Sequence, residues 1–133
     1  MQLDIFEHSR DVMLRNDVLE ALQQRDGALA HKTWQALADE FPNDTHLASL
    51  RVLVARLQAP PLPDFGDHAQ AQQVLHLLDE HTAPAARQSL GDVAAAVWLR
   101  PLFSELARCA RQLPFDATHS PTHAAALWLR ATD

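Results

Sequence analysis

The sequence predicts an all-α fold, an antiparallel stack of helix hairpins with about six to seven helices. Three observations predict it. Apolar residues return at intervals of three and four along most of the chain, as in Leu47, Leu50, Val54 and Leu57, which places them on one helical face. The chain has only 3 glycines and no tyrosine, a composition that favours helices over strands. Residues 94–100 (AAAVWLR) return as residues 124–130 (AAALWLR), and Pro84 and Pro114 share the same 30-residue offset, as expected of stacked helix pairs.

The elements follow in order. Ser9 with Asp11 can cap a helix from Arg10 onward, which leaves residues 1–8 as an N-terminal tail or arm and residues 9–133 as the helical domain. Asp17 and Glu20 fit a capping box ahead of Val18, Leu19 and Leu22. Asp26 and Gly27 break the pattern. Ala30, Trp34, Leu37, Ala38 and Phe41 form the next stripe, which Pro42, Asn43 and Asp44 stop. Residues 59–66 (APPLPDFG) cannot remain helical, because proline lacks the N–H and crowds the preceding turn. They are expected to be a surface loop and a possible subdivision of the domain.

A helix is expected over 67–81, with Ala71, Val74, Leu75 and Leu78 inward, and another from about Ala85 or Gly91 to Arg100. Pro101 kinks that helix or starts a new one, carrying Leu102, Leu106, Cys109 and Leu113 as far as Pro114. Ser120 and Pro121 announce the last helix, with a capping serine followed by proline at the first helical position.

Composition excludes several classes. The net charge is -6, and an acidic body repels nucleic-acid backbones and anionic membrane faces. No apolar run reaches the roughly 18 residues that span a bilayer. The start lacks the features of a signal peptide, and one cysteine allows no internal disulfide, so a cytoplasmic location is expected. No catalytic motif is present: no Walker loop, no nucleophile elbow, no dinucleotide fingerprint. No enzyme activity and no cofactor are therefore expected.

Eight histidines raise a metal-binding alternative. His76 and Glu80, and His119 and His123, are each four apart, but a zinc site needs three or four convergent ligands. Surface histidines explain them better, and no metal site is assigned. Cys109 lies on an apolar stripe and is expected to be buried as a small hydrophobe. The acidic pairs Asp39–Glu40 and Asp79–Glu80 read as solvated faces. Trp34, Trp98 and Trp128 read as packing residues, with a groove-lining role as the alternative. The proline cluster reads as a connector, with a polyproline ligand as its alternative.

Residues 17–58, with turns at Arg25-Asp26-Gly27 and Pro42-Asn43-Asp44, resemble one and a half tetratricopeptide-type repeats. They depart from that family's full pattern of small and large helix residues. The resemblance implies a tetratricopeptide-like α-solenoid with a concave surface for protein segments. Under it, Ala131, Thr132 and Asp133 stand where a second helix should follow, so the chain is expected to continue or to have its last helix covered by a partner.

Gln2, Leu3, Asp4, Ile5 and Phe6 resemble the bacterial sliding-clamp-binding pentapeptide, Q-L-(S or D)-L-F, with Ile5 as the single, conservative departure. The resemblance implies an extended peptide in a groove of the clamp. Ile5 and Phe6 would fill an apolar pocket, Leu3 the neck between sub-sites, and Gln2 a small polar site, with Asp4 facing solvent. The implied partner is the sliding clamp, in replication or repair, and DNA would be reached by tethering and not by the domain's own charge. The alternatives are a scaffold for another bacterial protein, with Leu3, Ile5 and Phe6 packed on the domain, and a histidine-based metal protein.

Overall fold

The computed structural model describes the backbone of residues 2–114 and 124–132 and the side chains of residues 10–114 and 124–131. The protein is all-α, with no strand among the described residues. The chain divides into unit 1 (Met1–Ala59) and unit 2 (Pro60–Asp133). The division falls inside the proline-rich segment expected to subdivide the domain.

Unit 1 holds α1 (Gln2–Gln23), α2 (Gly27–Glu40) and α3 (Leu47–Gln58). The expectation of a tail over residues 1–8 and a helix from Arg10 is corrected, because the helical backbone already runs from Gln2. Residues 2–9 contain neither proline nor glycine, so nothing in their backbone chemistry stops helix propagation. The capping-box reading of Asp17 is corrected for the same reason, since Asp17 lies in the interior of α1.

The turn after α1 is a Schellman motif. The Asp26 amide donates to the Ala21 carbonyl (3.0 Å) and the Arg25 amide to the Leu22 carbonyl (3.0 Å), with Arg25 left-handed at φ 57°. Arg25, and not Gly27, takes the strained position. Gly27 instead opens α2, where a Cβ would stand 3.2 Å from the Leu57 carbonyl oxygen, so its small size admits the end of α3. Asp26 caps α2 by accepting from the Leu29 amide at 3.1 Å.

α2 packs on both α1 and α3, and α1 touches α3. Val18, Ala21, Leu22, Ala30, Leu37, Leu50 and Leu53 are at most 1% exposed, so each helix hides its stripe against the other two. Trp34 is half-buried, and its indole N–H donates to the Leu47 carbonyl at 3.0 Å. Asp44 fixes the turn before α3. It accepts from the His46 amide at 2.8 Å and lies 3.6 Å from Arg15 Nε, with its side chain only 7% exposed. Arg15 also donates to Asp11 on its own helix at 3.3 Å.

Unit 2 begins with the proline cluster, a non-helical surface loop as expected, but one tied down at two points. The Leu62 amide donates to Glu105 Oε1 (2.9 Å), the Phe65 amide to the Cys109 carbonyl (2.9 Å), and Phe65 is buried. The segment is clasped to a helix more than forty positions later, while Pro60, Pro61 and Pro63 stay exposed.

Asp67 caps α4 (His68–Leu77) by accepting from the Gln70 amide at 2.8 Å. The expected end near residue 81 is replaced by a π-helical segment (Leu78–Thr82) running into α5 (Ala83–Leu90). There the Ala83 amide reaches back five residues to the Leu78 carbonyl. Pro84 is the physical reason: it offers no N–H and its ring crowds the Glu80 carbonyl, so the helix widens by one residue instead of stopping. Gly91, at φ 83°, makes the turn into α6 (Asp92–Cys109), a conformation that favours glycine. α6 continues through Pro101.

α6 packs on α5 and on α7 (Ala124–Thr132). Leu102, Leu106, Cys109 and Leu113 are buried as expected. Ser120 and Pro121 lie outside the described residues. The echo between residues 94–100 and 124–130 does not survive in packing. Trp98 is 4% exposed and Trp128 46%, whereas Val97 is 54% exposed and Leu127 1%. The two copies bury faces displaced by one position, so the expectation that Trp128 packs inward is corrected.

Leu37→Ala in unit 1 and Leu106→Ala in unit 2 should each lower stability by about 2–5 kcal/mol in denaturant titrations, because each empties a fully packed site. Val93→Ala, at a position 83% exposed, should stay within about 0.5 kcal/mol of the parent.

Candidate functional site

Gln2, Leu3, Asp4, Ile5 and Phe6 form the first turns of α1; their side chains lie outside the described residues. Their backbone is helical, not extended as the clamp-peptide resemblance implies. The first described tie between α1 and the rest of unit 1 comes at Arg10, which grips the Glu40 carboxylate at the end of α2 with two guanidinium nitrogens. The hydrogen bond from Arg10 holds the Glu40 carboxyl below its ordinary range; slight desolvation opposes this and the arginine charge adds to it.

Among the described residues each unit carries a recess. In unit 1 a groove of about 480 Å³ runs between α2 and α3, lined among others by His31, Trp34, Arg51 and Val54. Trp34 therefore lines a groove as well as packing. In unit 2 a cleft of about 420 Å³ is walled by Asp79 and Ala83, by Asp92, Ala96, Leu99 and Phe103 of α6, and by Arg87 and Arg130.

The unit 2 cleft has a built end. Arg130 of α7 forms a bidentate pair with Asp79 in the π-helical segment (3.0 and 2.5 Å), and its guanidinium carbon lies 4.2 Å from the centre of the Phe103 ring. Ring and carboxylate together fix the planar guanidinium in one orientation. The two acidic pairs lie at the surface as expected, and one member of each, Glu40 and Asp79, also holds an arginine. Sequence spacing could not have shown this, because the partners lie 30 and 51 residues away.

Among the described residues no group of three or more His, Cys, Asp or Glu side chains is placed to hold a metal ion. His119 and His123 lie outside them. Cys109 is buried, its thiol donates to the Leu62 carbonyl at 3.4 Å, and burial pushes its pKa up. No described helix is long and apolar enough to cross a membrane. Comparison of the chain with known protein families, with curated proteins and with solved structures finds no match. The fold therefore defines an all-α protein, and its sites stand on their own chemistry.

Two outcomes follow. The Cys109 thiol should react with an aromatic disulfide reagent only as fast as unit 2 opens, and reaction at the rate of a free thiol in the native protein would contradict its burial. Because Glu40 titrates lower when folded, the pair stabilises the protein above the ordinary carboxylate range and this contribution fades as pH falls through the folded value. Glu40→Gln should therefore show a shallower fall in melting temperature between about pH 5 and about pH 3 than the parent. The difference should be small, since the pair is exposed.

Proposed function

We propose that the protein is a non-enzymatic, cytoplasmic protein–protein interaction module, recruited to the bacterial DNA sliding clamp through Gln2, Leu3, Asp4, Ile5 and Phe6. The observation that carries this reading is the pentapeptide itself, standing in the first turns of α1. To lie extended in a clamp groove, residues 2–6 must leave the helix. Such unwinding is local, because the first turn of any helix has amides without intrahelical partners and terminal turns open at little cost. Burying Ile5 and Phe6 would contribute on the order of 1.5–3 kcal/mol each. Unwinding and ordering subtract from that gain, so affinity should be modest, about micromolar.

The acidic charge of -6 supports a body that reaches DNA through a clamp and not by its own surface. A second reading, a tetratricopeptide-like scaffold for another bacterial protein with a purely structural N-terminus, is favoured by the helical conformation of residues 2–6 and by the groove beside Trp34.

The readings separate in one titration. A labelled peptide of residues 1–8 should bind purified clamp saturably, and Leu3→Ala with Phe6→Ala should abolish clamp binding by the whole protein at an unchanged melting temperature. Absence of saturable binding by the parent protein would reject recruitment. A double variant that melts early would assign both side chains to the domain's own packing.

A further inference from the structure

The cleft of unit 2 has chemistry that clamp recruitment does not use. Its lining is apolar in part: Leu99 and Phe103, each 6% exposed, line it together with the short side chains of Ala83 and Ala96. At one end Arg130 and Asp79 neutralise each other. Arg87 and Asp92, one on each side of the Gly91 turn, line the same cleft. They carry opposite charges, yet they do not meet as an ion pair, and neither side chain has an ionic or hydrogen-bonding partner among the described residues.

We propose that this cleft binds a free α-amino acid with an apolar side chain. Arg87 takes the carboxylate, because a guanidinium matches two oxygens with two parallel N–H donors. Asp92 takes the ammonium. The ligand's adjacent opposite charges then bridge two protein charges that are not paired with each other. The side chain runs past Ala83 and Ala96 onto Leu99 and Phe103. The far end offers no unpaired charge, since Arg130 and Asp79 are already matched, so a charged side chain would find no counter-ion there. A volume of about 420 Å³ falls within the range of small-molecule sites, about 300–1,000 Å³. Arg87 and Asp92 are exposed, so solvent screens both contacts and the affinity is weak.

Calorimetric or NMR titration of the whole protein with L-phenylalanine and L-leucine tests this. Saturable binding of at least one is expected. Phenylacetate, lacking the ammonium, and phenethylamine, lacking the carboxylate, should each bind at least about tenfold more weakly than phenylalanine. Arg87→Ala and Asp92→Asn should show the same loss with the melting temperature of the free protein unchanged. Ala96→Trp, at an exposed position, should block binding by filling the recess while both charges remain. Failure of both amino acids to saturate, equal binding of the two analogues and phenylalanine, or undiminished binding by Arg87→Ala would each overturn the proposal. Substitutions at Leu3 and Phe6 should leave this binding unchanged, so its outcome is independent of clamp recruitment.

Discussion

The arrangement of unit 2 depends on a constraint set by Pro84. A proline in a continuing helix removes one donor and pushes against the carbonyl four residues back. Here the chain answers by inserting a residue: the Ala83 amide bonds to Leu78 across five positions, and the helix resumes. Burial above the insertion falls on Ala71, Leu75 and Leu78, and below it on the small residues Ala83, Ala85 and Ala86. Asp79, inside the widened turn, meets Arg130 of α7. One imino acid thus helps to set both the helix face turned to α6 and the ion-paired end of the cleft.

Unit 1 solves a different problem. Its helices α2 and α3 carry apolar stripes, α1 buries Val18, Ala21 and Leu22 near its end, the connections are short, and polar side chains fix the helix ends. Asp44 holds the α2–α3 turn to Arg15, and Glu40 holds the end of α2 to Arg10. The exposed pair adds little stability and mainly fixes register. The nearly buried Asp44 contributes more, because a carboxylate there would be costly without its amide and arginine partners.

Much of this was legible in the sequence, and the exceptions have physical causes. The stripes of α2 and α3 and the run from Leu102 to Leu113 could be read because burial follows helical periodicity directly. The start of α1 was misplaced because capping residues are compatible with a helix interior: Ser9 and Asp17 can cap, yet nothing forces them to. The echo between residues 94–100 and 124–130 misled because nearly the same heptapeptide can bury either of two adjacent faces, and its neighbours decide which. Of the candidate sites, the pentapeptide was visible in full. The unit 2 cleft was not, because it arises from a pairing across 51 positions and from alanines whose shortness matters only once the helices are packed.

The proline-rich segment looks by composition like a hinge that could be cut anywhere. Both backbone polar groups of Leu62 are engaged, however, one with Glu105 and the other with Cys109, and Phe65 is sealed beneath. Whoever divides the gene to express the halves separately should therefore place the junction ahead of Pro60. A cut after Pro63 would strip the C-terminal half of the Leu62 contacts with Glu105 and the Cys109 thiol, leaving only Phe65 to hold the segment on the end of α6.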